Sequence, residues 1–590
     1  MANQGTWHIH IDTGGTFTDC IAHDPRGETH RVKVLSSGSL RGRIIRKIDP
    51  YNYSFEAPWN YDSPLLEGYT LNIPSREVST KLLAIDYRNH ILTLEENIPA
   101  LSNVDFDLTS EEEAPVLAIR LITKTKLGLP FPKIQLRIGT TKGTNALLEK
   151  KGAKSLLVVT KGFKDLLRIG TQQRPHLFQL NIPEPIPLYS DVFEVEERLD
   201  SSGKVLGALA PVELERLLEY LDDGEFSSVG LSLLNSYRNP THENLIADYL
   251  RHNSELPVSS AVALFPQIHY LRRTQTAAID AYLSPIIGSY LNSIQKSLKN
   301  VAIQVMTSAG GLVKSQNYHA KDSLLSGPAG GMIAATRLAQ QLGFEKILTF
   351  DMGGTSTDTA RIDGRPILSY LTQIEGYEML NPSFAIETVA AGGGSVCWYD
   401  GYTLRVGPQS AGAEPGPACY GAGGPLTITD VNLLLGKLDT SQFEIPISAE
   451  NAFDALQKLI DEITFKTGNN LSGQEVLTGL ERIANEKMAE GIRKISVSKG
   501  VDPAEYALMT FGGAGGLHGC QLAELLHIEK VIIPNEAGIF SAVGMGQAQL
   551  SRIATRQILA DWQQSQIPLS DWLADMEVGL QEALSHEGIT

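Results

Sequence analysis

The eight-residue pattern D-x-G-G-T-x-T-D occurs twice in this chain, once from Asp12 within "IDTGGTFTDCIA" and once from Asp351 within "FDMGGTSTDTA". Each copy follows a short apolar run and leads straight back into another. That predicts a β-hairpin with a glycine tip, since a loop of the Rossmann kind would open a helix instead. Glycines let a backbone approach a ligand closely and adopt positive φ. Successive N–H groups in such a turn form a concave anion site. The threonine hydroxyls add donors, and the leading carboxylate is placed to hold a divalent cation. A phosphate carrying Mg2+ is the ligand that uses all three features. One copy alone reads equally well as a tight turn with a capping aspartate. Two copies sharing six fixed positions make coincidence a poor explanation.

One hairpin per half of the chain predicts an α/β protein with two related lobes closing on a nucleotide. That is the two-lobed layout of the actin, hexokinase and Hsp70 ATPases, the ribonuclease H-like type, here with inserted subdomains. Asp12, Gly14, Gly15 and Thr16 would face one phosphate. Asp351, Gly353, Gly354 and Thr355 would face another from across the cleft. Asp19 and Asp358 end the hairpins, either as bases or as buried turn anchors. A third glycine loop, "FGGAGGLHG", opens a helix after a strand, and its Gly512, Gly513, Gly515 and Gly516 are candidates for supporting adenosine. The competing reading of that loop is strand–helix packing.

Other segments fit α/β units. "RIGTTKGTNALLEKKG" places Thr140, Thr141, Lys142, Thr144 and Asn145 at a strand-to-helix junction, which suits either an anion or ordinary capping. "LLSGPAGG" reads as a further loop of that sort, and the three glycines of "TVAAGGGS" imply a close backbone approach to a ligand or to another strand. Residues from about 40 to 96 alternate as a β-rich insertion. The helix after them is expected to start at a Ser110 cap with an acidic first turn. His518 is either structural or a catalytic or nucleotide-contact residue, and the four cysteines read as buried small residues.

Composition narrows the partners. The chain has 590 residues, roughly four domains' worth at ~150 each. Its formal net charge of −17 argues against nucleic acid or an anionic membrane as a partner. Four scattered cysteines without a CxxC pair exclude zinc-ribbon and thioredoxin readings and suit a reducing cytosol. No signal peptide or long apolar run is visible, so a cytoplasmic location is expected.

Together the motifs "IDTGGTFTDCIA", "GTTKGTNALLEKKG", "RIGTQQRPHLFQL", "LLSGPAGG", "FDMGGTSTD", "TVAAGGGS", "SAGAEPGPACYGAGGPLTITDVNLLLG" and "FGGAGGLHGCQLAELL" resemble the hydantoinase A/5-oxoprolinase family, in family order from about residue 7 to 550. The resemblance implies an actin-like fold and ATP-driven opening of a cyclic amide. The first such substrate is 5-oxo-L-proline, opened to L-glutamate with ADP and phosphate, as in glutathione metabolism. It implies Mg2+ at Asp12 and Asp351, K+ as a further ion, and catalytic roles for Asp12, Asp19, Asp351 and Asp358. The family also holds N-methylhydantoin amidohydrolase A subunits and ATP-dependent acetone or acetophenone carboxylases, which stand as alternatives. A hydantoinase B-type region or subunit and an oligomer are the implied partners. The expected division is 1–205 for the N-terminal region, 206–545 for the core and 546–590 for the start of a truncated C-terminal region. Two departures from the family stand out: the 40–96 stretch is not helical, and the chain stops at Thr590 with no B-type region, as a fragment or one half of a complex would.

Overall fold

The computed structural model describes residues 5–587, apart from 74–75, 99–101, 174–177, 181–183, 185, 300, 375, 413, 441–446, 560 and 562–567. The first sheet begins with the expected meander of β1 (Trp7–Thr13), β2 (Phe17–His23) and β3 (Thr29–Leu35). Strand β4 (Ile134–Thr140) joins β1 in parallel, and β5 (Ala302–Met306) joins β4 in parallel. The strand order is therefore 3-2-1-4-5, with Leu312–Lys314 added at the β5 edge.

The second half repeats this plan. Strand β6 (Lys346–Met352) pairs antiparallel with β7 (Thr357–Asp363), and β7 with β8 (Ile386–Val389). Strand β9 (Ala507–Phe511) lies parallel to β6, and β10 (Val531–Ile532) lies parallel to β9. The order is 8-7-6-9-10, the same topology. All five residues of β9 are buried, as a parallel strand covered on both faces requires.

Two insertions enlarge the first half. Residues 39–109 form a closed six-stranded barrel between β3 and the helix Ala114–Thr123. The expected β-rich stretch is thus present, and it continues to Thr109. Strand Val104–Thr109 closes the barrel by pairing with both Ser39–Lys47 and Thr70–Ile73, and Ser39 lies directly opposite Thr109. Tyr53, Phe55, Leu71, Phe106 and Leu108 fill the interior. Gly42 makes room for them, because a Cβ there would lie 2.5 Å from the Phe106 ring.

The helix after the barrel corrects an expectation. It starts at Ala114, and Ser110 does not cap it. Thr109 is held in the barrel ladder, so the chain cannot turn into a helix until it has left the sheet. The acidic run precedes the helix and makes ion pairs instead. Glu112 binds Arg120 at 2.5 Å and Glu113 binds Lys142 at 2.8 Å.

The second insertion is a parallel sheet in the spatial order Asp191–Val195, Ser155–Thr160, Ser228–Ser232, Val258–Ser260. The 205/206 division falls within its neighbouring strand Val205–Gly207. Helix α1 (Tyr270–Leu298) packs on this sheet and carries Pro285 inside it. Proline cannot donate to the carbonyl four residues back. The Ser228 hydroxyl donates to that Ala281 carbonyl at 2.6 Å and satisfies it.

The chain crosses between the sheets on two helices. Helix α2 (Ser326–Leu342) leads to β6, and α3 (Phe540–Gln547) leads back to Leu550, which bridges Leu312. They touch backbone to backbone. A Cβ on Gly544 would lie 1.8 Å from the Gly330 carbonyl oxygen, and one on Gly330 would lie 2.6 Å from the Ser541 carbonyl oxygen. Among the described residues no helix is long and apolar enough to cross a membrane.

Candidate active site

The two D-x-G-G-T-x-T-D copies are the β1–β2 and β6–β7 hairpins, with one local geometry. Gly14 N donates to Phe17 O at 3.0 Å, and Gly353 N donates to Ser356 O at 3.0 Å. In each ladder the two aspartates stand directly opposite, Asp12 against Asp19 and Asp351 against Asp358. The tips face one another: a Cβ on Gly354 would lie 3.7 Å from Thr16 Oγ1. So Gly14, Gly15, Thr16, Gly353, Gly354 and Thr355 come together across one cleft.

Four carboxylates thereby converge at the cleft, each still partly open to it. Burial pushes Asp12 up to about 7, Asp19 adds to the rise, and Lys33 opposes it. Asp351 is held well above the usual carboxylate range by burial, then by Asp358, Asp12 and Asp19. Burial brings Asp358 to about 6, opposed by the Thr388 hydroxyl, which donates to its Oδ1 at 2.5 Å. Burial also raises Asp19, opposed by the Lys33 ammonium 2.9 Å away. Only this ammonium is seen to offset the four carboxylates among the described residues.

Among the described residues no three of these carboxylates hold ligand atoms within 4.8 Å of one another, so a divalent cation here would be held by two of them, with phosphate oxygens and water completing its shell. Asp12 Oδ1 is buried without a hydrogen-bond partner. A Cβ on Gly327 would lie 3.2 Å from it, so that glycine leaves room beside this oxygen, while the room at Gly139 is filled by the Met545 side chain. Asp12 and Asp351 are the groups that would hold Mg2+.

The raised values have a thermodynamic consequence. From about pH 4 to pH 7 the folded chain keeps protons that the unfolded chain has released, so stability falls across that window. Millimolar MgCl2 is expected to raise the melting temperature at about pH 8 and to lose that effect near pH 5, where protonation competes with the cation. A thermal-shift series with MgCl2 against NaCl of equal ionic strength checks this. An equal shift from both salts would argue against the cation site.

Each hairpin is braced from behind. Ser36 N donates to Thr16 O at 2.9 Å, and Ser36 Oγ donates to Gly14 O at 2.8 Å. Behind the second hairpin, Gly393 N donates to Gly353 O at 3.0 Å and Gly394 N to Gly354 O at 2.6 Å. The three glycines of "TVAAGGGS" thus approach the backbone at the tip of the second hairpin. A Cβ on Gly392 would lie 2.7 Å from Ser356 N. Thr429 fixes the brace, donating to Gly393 O through N and Oγ1 at 2.7 and 2.9 Å.

The third glycine loop meets the second hairpin. Gly512, at φ +81°, passes over Asp351, where a Cβ would lie 2.4 Å from Oδ1. Gly515 packs on Thr510, while Gly513 and Gly516 face open space. In the "GTTKGTN" junction, Thr141 N and Oγ1 donate to Thr13 O at 2.9 and 3.1 Å. A Cβ on Gly15 would lie 3.5 Å from the Asn145 amide. Lys142 turns to Glu113 instead and covers the Tyr290 ring at 4.4 Å. "LLSGPAGG" starts α2, with Leu325 in the left-handed region at φ +65°. That backbone is strained for a bulky residue, and it sets the first turn of α2 beside Asp12.

His518 is a structural residue. It is fully buried, its Nδ1 lies 2.7 Å from Asn485 Oδ1, and its Nε2 lies 3.1 Å from Asn432 Nδ2. The two partners require Nδ1–H as donor and Nε2 as acceptor. Burial lowers it to about 4, so it stays neutral. Cys20, Cys397 and Cys419 are buried as expected, but Cys520 is exposed. Sequence reasoning missed Lys33, Ser36, Thr388, Thr429 and Tyr290. Two of them lie directly opposite an aspartate of a neighbouring strand, Lys33 opposite Asp19 and Thr388 opposite Asp358, a register that no local pattern states.

One sheet topology used twice, joined by two crossing helices and carrying a hairpin on the first strand pair of each half, defines the two-lobed actin-like α/β class. The chain belongs to the hydantoinase/oxoprolinase family: the family's model matches residues 273–554, and that of its N-terminal region matches 100–254. It is 34% identical to 5-oxoprolinase 1 of Arabidopsis thaliana over 587 residues, covering 93% of this chain and 42% of that protein. It is 34% identical to the caprolactamase subunit alpha of Pseudomonas jessenii, covering 74% of this chain and 64% of that one. The crystal structure of the ATP-dependent caprolactamase from Pseudomonas jessenii superposes with a TM-score of 0.70 at 27% identity, covering 99% of this chain and 77% of that one. The chain spans about two fifths of the length of the 5-oxoprolinases it matches.

Proposed function

We propose that this chain binds Mg·ATP between its two hairpins and supplies the phosphorylating half of an enzyme that opens a cyclic amide. The preferred substrate is 5-oxo-L-proline, converted with ATP and water to L-glutamate, ADP and phosphate. The observation that carries this reading is the facing pair of glycine hairpins, whose four aspartates meet a single ammonium among the described residues, in a chain related to 5-oxoprolinases and to a caprolactamase subunit.

The chemistry is coherent. A lactam carbonyl is a poor electrophile. Moving the γ-phosphoryl from ATP to the carbonyl oxygen, with ADP leaving, activates the carbon. Water then adds there, the ring C–N bond breaks with the nitrogen leaving as an amine, and a second water releases phosphate from the acyl phosphate so formed, leaving the carboxylate. The tip N–H groups of Gly14, Gly15, Gly353 and Gly354 would bind phosphate oxygens. Asp12 and Asp351 would hold Mg2+, which offsets the phosphate charge. Asp19, already paired with Lys33, would anchor its hairpin. Asp358, which accepts a hydrogen bond from the Thr388 hydroxyl, is the carboxylate suited to take a proton from water. Gly512, Gly513, Gly515 and Gly516 would support the adenosine. A B-type region or subunit would complete the active enzyme, and the family resemblance adds K+ and a cytoplasmic setting.

The test is ADP release by the chain co-expressed with a hydantoinase B-type subunit. Stimulation by 5-oxo-L-proline, with N-methylhydantoin and caprolactam as competing substrates, is expected. Stimulation by acetone with bicarbonate alone would replace this reading with a carboxylase.

A further inference from the structure

Lys142 belongs to a motif at the first hairpin, yet its ammonium serves a different place. A cavity of about 480 Å³ lies beside it, lined by Glu113, Lys142, Ala153, Ser227, Ser289 and Tyr290 among others. Glu113 and Lys142 are the only charged residues among the described ones that line it, and their side chains remain 26% and 35% exposed. They bond each other at 2.8 Å. A half-exposed pair of this kind is weak, so a ligand that offers both opposite charges can replace it with two charge-assisted bonds.

The same residues touch the strand that carries Asp12. The Lys142 ammonium sits 4.4 Å from the centre of the Tyr290 ring. Tyr290 is buried, and its hydroxyl lies 3.0 Å from Thr13 Oγ1. Thr13 is also bound through its carbonyl by Thr141, the residue before Lys142. Drawing Lys142 off the Tyr290 face therefore acts on Thr13 from two sides, next to Asp12.

We propose that this cavity is an amino-acid site, with Lys142 taking the carboxylate and Glu113 the ammonium of a zwitterion. Its occupancy is passed through Tyr290 and Thr13 to the first hairpin. The choice of ligand rests on the lactam-opening reading: hydrolysis turns a neutral ring amide into one carboxylate and one ammonium. The site thus separates the opened product from the closed ring, which lacks at least one of those charges.

The chain alone, without ATP, is titrated calorimetrically with L-glutamate and 6-aminohexanoate, and with N-acetyl-L-glutamate and 6-aminohexanamide, each of which lacks one charge. Saturable binding of the zwitterions only is expected. Lys142→Met and Glu113→Gln are each expected to weaken it about tenfold or more. ATP affinity measured with and without the zwitterion is expected to differ about fivefold or more, and to stop differing in Lys142→Met. Absence of zwitterion binding, equal binding of the blocked compounds, or unchanged binding in both folded variants would overturn the site. Ring opening by the complete enzyme with no zwitterion binding removes only this inference. Zwitterion binding in a complete enzyme that opens no lactam removes the lactam reading and leaves the amino-acid site standing.

Discussion

Asp12→Asn and Asp351→Asn are expected to reduce ATP turnover to background while raising the melting temperature near neutral pH. Both carboxylates are pushed up by burial and by one another, so each charge opposes folding when no cation is present. Removing one relieves on the order of 1–2 kcal/mol after screening by the open cleft, or roughly 1–3 °C for a chain of this size. The same change removes a Mg2+ ligand and should cost at least about 10²-fold in turnover. The measurement pairs a thermal melt with ADP release, both in the absence and presence of MgCl2. Variants that melt lower and still turn over ATP would refute the assignment. The opposite signs matter, since a purely structural aspartate would lose stability and activity together.

Gly544→Val is expected to cost more stability than any single change at the cleft. Its Cβ would overlap the Gly330 carbonyl oxygen at 1.8 Å, and backbone cannot swing aside as a flexible side chain can. Helices α2 and α3 would have to separate, and the buried Met332, Ala335, Phe540 and Met545 would lose their packing. Overpacking of this kind costs about 1–3 kcal/mol, and more where neither partner can yield. Chemical denaturation should show a midpoint shift of that size or an insoluble product. Gly544→Ala adds the same Cβ while gaining about 1 kcal/mol in helix preference, so a lower midpoint there isolates the overlap. A wild-type midpoint for both variants would mean that the helices do not cross in contact.

What could be read from the chain was what is local. Each hairpin is spelled out in eight consecutive residues, so its existence, its glycine tip and its repetition were legible. The repeated sheet order followed from placing two such hairpins in α/β halves. The barrel was only half legible, because its closing strand Val104–Thr109 is far in sequence from the Ser39–Lys47 strand it pairs with. For the same reason Ser110 looked like a helix cap while its backbone was still leaving a ladder. Glycines gave the strongest signal with the least direction. Gly330 and Gly392 both demand a close neighbour, yet α3 and the second hairpin are named nowhere near them in the sequence. Lys33 and Thr388 were invisible for a related reason. Each acts on an aspartate of a different strand, and only the register of the ladder brings them opposite.

The barrel's two ends meet, with Ser39 directly across from Thr109. An insertion that enters and leaves at one point strains neither β3 nor the helix at Ala114, whatever lies between. The first lobe is therefore built to accept exchange at this position. A different folded unit that restores the barrel's packing against the first-lobe core could be spliced between residues 38 and 110 without re-registering a strand. Divergence among related chains can concentrate at such a socket while the cleft beneath keeps its geometry.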